Sequence, residues 1–309
     1  MSVVLAAYNA ERFIGAAIES ILSQTYRDLE LVIIDDHSTD TTAKRIAAQQ
    51  ANDPRIRVLQ NPANIGQLAS LNKGILVSRG EFIAIMDADD ICDARRIELQ
   101  VAYLEKNPHV GVVGCLTDAF EEDVSVTRSS GARADSTWLD GNIVMAHPSM
   151  MVRKQIYAFA GLYDTRKRFA TLGDYELQSR FGYRGVQMHV IDQVLLHYRV
   201  HPRNMTNSRR KEQVGSYLYV TFHIIFYYRR NLTARGWAAF IRYLSIYIYL
   251  SLRLYHLIPR SLGKQIWPVP GGKDRNKRSI SFSRSSSDDR LNKYGGSDPS
   301  RQKKVTNDH

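Results

Sequence analysis

Phe82-Ile83-Ala84-Ile85-Met86-Asp87-Ala88-Asp89-Asp90 joins an apolar run of strand length to three carboxylates within four positions. Such a run fits a strand buried on both faces, as in a parallel sheet covered by helices. Packing gives no reason to gather negative charge at a strand end, because the mutual repulsion has to be offset. A divalent cation offsets it, and carboxylate-rich sites suit Mg²⁺ or Mn²⁺, ions commonly held together with substrate phosphates. A solvated acidic turn is the other reading of the same residues.

Working outward, strand and helix signals alternate on both sides of this segment, which predicts βα units and a parallel sheet. Val3-Val4-Leu5-Ala6 reads as a strand, and Ile14, Ala17, Ile18, Ile21 and Leu22 recur at helical spacing through residues 11–24. A second strand over Leu29 to Ile34 ends at Asp35-Asp36, and Thr39-Asp40-Thr41-Thr42 can cap the helix that follows it. Ile56-Arg57-Val58-Leu59 predicts a third strand, residues 65–78 a helix, and Glu81–Met86 a fourth strand. Beyond the acidic segment the pattern gives a helix over 93–106 and a strand over Val110–Leu116. Residues 117–142 form an irregular variable loop. A strand then spans Ser149–Val152, helices lie near 153–160 and from Asp174 to Tyr183, and a strand lies near Val186–Val190.

Three polar clusters fall at predicted strand ends: Tyr8-Asn9, Asp35-Asp36 and Asp87-Ala88-Asp89-Asp90. In an open parallel sheet, ligands bind at the carboxyl ends of the strands, so these clusters converge. No Gly-x-Gly-x-x-Gly follows the first strand and no Gly-x-x-x-x-Gly-Lys-Ser/Thr is present, which argues against a dinucleotide site and a P-loop. Two acidic clusters on separate strands fit a nucleoside diphosphate, one carboxylate meeting the base or ribose and the other the metal on the phosphates.

Four blocks carry a resemblance: Val3-Val4-Leu5-Ala6-Ala7-Tyr8-Asn9, Ser20-Ile21-Leu22-Ser23-Gln24-Thr25-Tyr26, Leu31-Val32-Ile33-Ile34-Asp35-Asp36-His37-Ser38-Thr39-Asp40, and Asp87-Ala88-Asp89-Asp90. In this order and spacing the chain resembles glycosyltransferase family 2 over residues 2–105, and more weakly to residue 206. The resemblance implies a GT-A fold and inverting transfer of a sugar from a nucleotide sugar. It implies that Asp36, next to Asp35, contacts the base, while Ala7, Tyr8 and Asn9 line the nucleotide pocket. Asp87 and Asp89 then stand in a DxD motif on the ribose and metal; Asp89 is the first choice of ligand, with Asp90 a neighbouring candidate. Ala6 departs from a Thr found in several relatives.

An inverting transfer needs a base for the proton of the acceptor hydroxyl. Family members place an acid near the start of a late helix, often as Glu-Asp, and Leu172-Gly173-Asp174-Tyr175-Glu176-Leu177 stands there. Asp174 matches the second acid and Gly173 replaces the first; alternatively Asp174 simply caps its helix. His197-Tyr198-Arg199-Val200-His201, followed by Asn204-Met205-Thr206, resembles the family's late Tyr-Arg-x-His segment. Arg199 and His201 there either meet the departing diphosphate or belong to a basic surface loop. His147-Pro148 lies near the acceptor or is structural, and Arg96 fits the helix after the DxD motif or balances the local acids.

Charge is unevenly placed. Residues 1–200 hold 21 Lys and Arg against 25 Asp and Glu, and residues 201–309 hold 21 against 6, so the net charge of +11 belongs to the last third. Arg235, Arg242, Arg253 and Arg260 fall within roughly 20° of one another at helical spacing, on an otherwise aromatic and aliphatic cylinder. A cationic stripe of this kind suits the boundary of an anionic membrane; packing on the catalytic body and a true span are the alternatives. No nucleic-acid motif accompanies the basic charge. Cys92 and Cys115 lack metal spacing and predict buried free thiols, and the start of the chain carries no secretory pattern.

The expectation is therefore an α/β GT-A protein, a Rossmann-like, mostly parallel sheet with flanking helices. Residues 1–205 form the transferase domain, with a nucleotide-binding half over 1–105 and an acceptor half over 106–205. Residues 206–262 form basic aromatic helices that associate with a membrane, and 263–309 a disordered tail. The expected activity is Mn²⁺- or Mg²⁺-dependent transfer from a UDP- or dTDP-sugar to a glycan or lipid-linked acceptor in surface polysaccharide synthesis, on the cytoplasmic face of the membrane. A sugar-phosphate nucleotidyltransferase and a non-catalytic nucleotide-sugar-binding subunit are the alternatives.

Overall fold

The computed structural model describes residues 1–120, 145–201 and 241. The apolar runs β1 (Ser2–Ala7), β2 (Glu30–Asp35), β3 (Ile56–Gln60) and β4 (Phe82–Asp87) lie parallel in the order β3-β2-β1-β4. The strand order reverses between β1 and β4, and the crevice outside such a reversal is where open α/β sheets bind ligands. The register brings the polar strand ends level: Ala7 pairs with Asp35, and Ala6 with Asp87.

Beyond β4 the sheet continues through β7 (Met151–Arg153), β6 (Val110–Phe120), β8 (Gln187–Arg199) and β5 (Ile91–Cys92), with β7 antiparallel to β4 and β6. β6 and β8 are parallel, and β5 pairs antiparallel with the far end of β8. The sequence predicts neither β5 nor a β8 that reaches Arg199. On β8, Asp192 and Gln193 bulge out between Ile191 and Val194 and are exposed, which interrupts the apolar pattern while the strand continues.

Successive residues of β1 face opposite sides of the sheet, so each side receives its own core. Val3 and Leu5 pack with Ile14, Ile18 and Ile21 of α1 (Ile14–Leu22) and with Ile97, Val101 and Leu104 of α4 (Arg96–Lys106). Val4 packs on the other side with Leu71 and Ile75 of α3 (Gln67–Val77) and with Leu177 and Phe181 of α6 (Gly173–Tyr183). Each aliphatic side chain buried this way contributes about 1.5–3 kcal/mol. Gly74 lets α3 seat closely, since a Cβ there would lie 2.4 Å from Val4 Cγ1 and 2.5 Å from Ile34 Cδ1.

Two further helices, α2 (Thr42–Asn52) and α5 (Lys154–Ala160), complete the described body. At α2 the Asp40 carboxylate accepts the Thr42 N–H at 2.9 Å, while Thr41 makes no side-chain cap. Gln24, fully buried after α1, donates to the Ser20 and Asp93 carbonyls and accepts the Ile97 N–H at 3.0 Å. The Ser20–Tyr26 block thus braces the start of α4 behind the acidic turn. Cys92 and Cys115 are buried free thiols, as expected. The loop expected from residue 117 starts later, because residues 117–120 continue β6 beside β8; residues 121–142, the expected basic helices over 206–262 apart from Ile241, and the tail over 263–309 lie outside the described residues. Among the described residues no helix is long and apolar enough to cross a membrane.

Candidate active site

The rim begins at the end of β1. Tyr8 is half exposed there, and Asn9 turns the chain through a positive φ of 48°. The Asn9 N–H donates to Ser38 Oγ, and its Oδ1 accepts the Thr39 N–H at 2.8 Å, so the loops after β1 and β2 are laced together. Ala7 lies beneath this rim, its carbonyl accepting the Asp36 N–H at 2.8 Å.

Asp35 and Asp36 are both buried and both occupied. Asp35 accepts the Ser38 N–H at 3.1 Å and Gln60 Nε2 at 3.4 Å. Asp36 Oδ1 accepts Asn61 Nδ2 at 2.8 Å and the Ile65 N–H at 2.9 Å, and its Oδ2 accepts the Gly66 N–H at 2.8 Å. The carboxylate expected to meet a base therefore holds the turn that starts α3. Gly66, at φ +89°, makes that turn. The next residue, Gln67, donates to Asp87 Oδ1 at 3.0 Å. Gln67 escapes sequence reading because an ordinary polar helix start carries no signal of a partner 20 residues on.

One oxygen each from Asp87, Asp89 and Asp90 lie within 4.8 Å of one another, a spacing one ion can bridge. Asp90 is fully buried; its Oδ1 accepts the Arg199 N–H at 2.9 Å, while its Oδ2 is buried without a partner. An orphaned carboxylate oxygen beside two more acids is what a hard divalent cation satisfies, so the residues present fit such an ion. Burial, then the charges of Asp89 and Asp174, raise Asp87 to about 7. Burial first and the same kind of repulsion push Asp90 well up.

Arg199, the last residue of β8, and His201 two residues beyond it close on this turn. Arg199 is buried between Phe13 and Phe120, with ring centres 4.9 and 4.5 Å from its guanidinium carbon, and its Nε donates to the Asp89 carbonyl at 2.8 Å. His201 Nε2 lies 2.9 Å from Asp89 Oδ2, its ring against Phe13. Asn204, Met205 and Thr206 lie outside the described residues.

Asp174 does not cap α6. The cap position is Leu172, which makes no side-chain cap bond, and Asp174 lies one residue inside the helix start, its charge felt at Asp87. Gly173 seats that turn against α3, where a Cβ would meet Leu68 Cδ1 at 2.3 Å. Thus Gln67 meets the acidic turn while Leu68, next to it on α3, packs at the start of α6. His147 and Tyr163 are hydrogen-bonded at 2.7 Å beside Asp174, whose charge reaches both. Burial holds the His147 imidazole below its ordinary range. Asn72 fixes Tyr163 through both its backbone N–H and its carbonyl.

A family model described as Glycosyl transferase family 2 matches residues 2–159. EpsE of Bacillus subtilis strain 168, named as a glycosyltransferase, is 36% identical over 195 residues, which are 61% of this chain and 69% of that protein. WfaP of Escherichia coli, named a UDP-Glc:alpha-D-GlcNAc-diphosphoundecaprenol beta-1,3-glucosyltransferase, is 26% identical over 215 residues, 69% of this chain and 82% of that one. The mannosyltransferase PcManGT of Pyrobaculum calidifontis, solved with GDP-Man and Mn²⁺, superposes with a TM-score of 0.60 at 17% identity, covering 85% of this chain and 82% of that one. That likeness is one of fold.

Proposed function

This chain belongs to glycosyltransferase family 2, and on that premise we propose that it moves a sugar, with inversion, from a UDP- or dTDP-sugar to a lipid-linked glycan. The observation that carries the reading is the convergence of Asp87, Asp89 and the orphaned Asp90 Oδ2 at one strand end, with the charge of Asp174 felt there. Asp89 and Asp90, with Asp87 beside them, would hold Mn²⁺ or Mg²⁺. A bound divalent ion supplies Lewis-acid stabilisation of the leaving diphosphate. That PcManGT was solved with Mn²⁺ supports the choice of ion.

The chain's own residues divide the remaining work. Tyr8, at the exposed rim above Ala7, offers its ring to the base, and Asn9 fixes the rim. Asp35 and Asp36 shape the pocket by holding its loops. Arg199 and His201 keep Asp89 and Asp90 aligned, and the Arg199 guanidinium adds positive charge near the phosphates. Asp174 takes the proton of the acceptor hydroxyl as that oxygen attacks the anomeric carbon; the C–O bond to the diphosphate breaks and the nucleoside diphosphate leaves.

The acceptor class is supported by the relative WfaP, which is named for a diphosphoundecaprenol-linked acceptor. The excess of basic residues over 201–309 supports docking of this chain on an anionic membrane, where such acceptors reside.

The test is incubation of the purified chain with Mn²⁺ and a panel of nucleotide sugars, scored for thermal stabilisation and for hydrolysis or transfer to a diphosphoundecaprenol-linked sugar. A UDP- or dTDP-sugar is expected to stabilise it only when Mn²⁺ is present. No stabilisation by any nucleoside diphosphate sinks the proposal.

A further inference from the structure

Arg96 is the first residue of α4 and its side chain is fully buried. A buried guanidinium ordinarily faces a carboxylate, because an unbalanced internal charge is costly. Arg96 has no carboxylate among its hydrogen-bond partners. Its Nη2 donates to the Ile85 carbonyl at 3.0 Å, its Nη1 to Cys92 Sγ at 3.2 Å and Met86 Sδ at 3.5 Å, and its Nε to Gln100 Oε1 at 3.2 Å. Gln100 is anchored in turn to the Ser149 carbonyl at 2.7 Å.

These partners have a pattern. Ile85 and Met86 are the residues of β4 just before the acidic turn, and Cys92 is in β5 just after it. One rigid fork thus grips both stems of the turn that carries Asp87, Asp89 and Asp90. The opposite charges that balance the guanidinium are Asp87 and Asp90, each of which feels it through space. Against the three carboxylates stand two guanidiniums, Arg96 and Arg199, so the fold leaves the turn negative without an ion.

We infer that Arg96 is a positioning residue of the metal site: it fixes the separation of the two stems and so sets the geometry in which the three carboxylates meet an ion. The inference rests on reading the acidic turn as a metal site. Lysine in its place keeps the charge and loses the fork, because one ammonium cannot reach β4, β5 and Gln100 with planar geometry.

Mn²⁺ titration of the purified full chain, alone and with UDP, followed by electron paramagnetic resonance of the free ion, tests it on the wild type, Arg96→Lys and Cys92→Ala. Arg96→Lys is expected to bind Mn²⁺ roughly 10–100-fold more weakly, the loss typical of removing an outer partner of metal ligands. Turnover should then recover at saturating Mn²⁺, which general structural damage would not allow. Folded Arg96→Lys with wild-type Mn²⁺ affinity overturns the inference and leaves the metal site standing. If Arg96→Lys does not fold, Cys92→Ala decides: weaker Mn²⁺ binding supports the inference, and unchanged binding overturns it. A wild type that takes up no Mn²⁺ in either condition removes the metal-site reading itself.

Discussion

His201 Nε2 lies 2.9 Å from Asp89 Oδ2, across 112 residues of sequence. The contact exists because β8 runs on past its bulge and pairs with β5, His197 opposite Ile91, which delivers the chain after Arg199 to the acidic turn. A histidine held this way fixes the rotamer of its carboxylate. His201→Ala should therefore weaken Mn²⁺-dependent donor binding by roughly 10–100-fold, as loss of an orienting partner does. Isothermal titration with UDP and Mn²⁺ measures it, and unchanged affinity would remove His201 from the site.

Asp174→Asn keeps the size of the side chain and removes its ability to take a proton. Transfer should fall by about 10²–10⁴-fold, the usual contribution of a positioned base. Binding of UDP with Mn²⁺ should persist, since Asp174 makes no hydrogen bond to the turn and acts on Asp87 only through space. Equal loss of binding and turnover would assign Asp174 to the donor pocket.

The parallel half of the fold was legible because β1, β2 and β4 are buried on both faces, and an apolar run that stops at an acid needs no context to be recognised. β5 was not, since two residues have no period of their own and Ile91-Cys92 is a strand only by pairing with β8. The reach of β8 was hidden by Asp192 and Gln193, exposed residues that look like a loop and are a bulge. The strand ends told where the acids gather, and the late Tyr-Arg-x-His segment pointed to Arg199 and His201. What sequence could not tell is who holds whom. Gln67 on Asp87, the Asp36 carboxylate on the start of α3 and the fork of Arg96 are long-range contacts of ordinary residue types.

Asp36 separates two roles that the sequence leaves merged. Its oxygens accept three N–H groups, from Asn61, Ile65 and Gly66. Asp36→Asn turns one acceptor oxygen into a donor facing a donor, at a cost of about 1–3 kcal/mol. The melting temperature of the nucleotide-free protein should drop by several degrees, at roughly 2–4 °C per kcal/mol. A residue that only reads the base would raise the donor KM and leave melting unchanged, and that result would refute the anchoring role.

The acidic turn makes the protein's response to pH depend on the ion. Burial and the charges of Asp89 and Asp174 raise Asp87 to about 7, whereas an unfolded aspartate titrates near 3.9. Between those values the folded chain holds a proton that the unfolded chain has released, so this group's contribution to stability is lost as pH rises from about 4 to about 7. Asp90, raised for the same reasons, acts in the same direction. A divalent ion needs the deprotonated carboxylates, so its binding strengthens over the window in which the ion-free site loses stability. Thermal melts at pH 5 and pH 8 should show the Mn²⁺-induced rise growing with pH. Asp87→Asn should flatten the ion-free decline, because its amide carries no charge to repel Asp89. A Mn²⁺ effect equal at both pH values would mean that these carboxylates are ionised before the ion arrives.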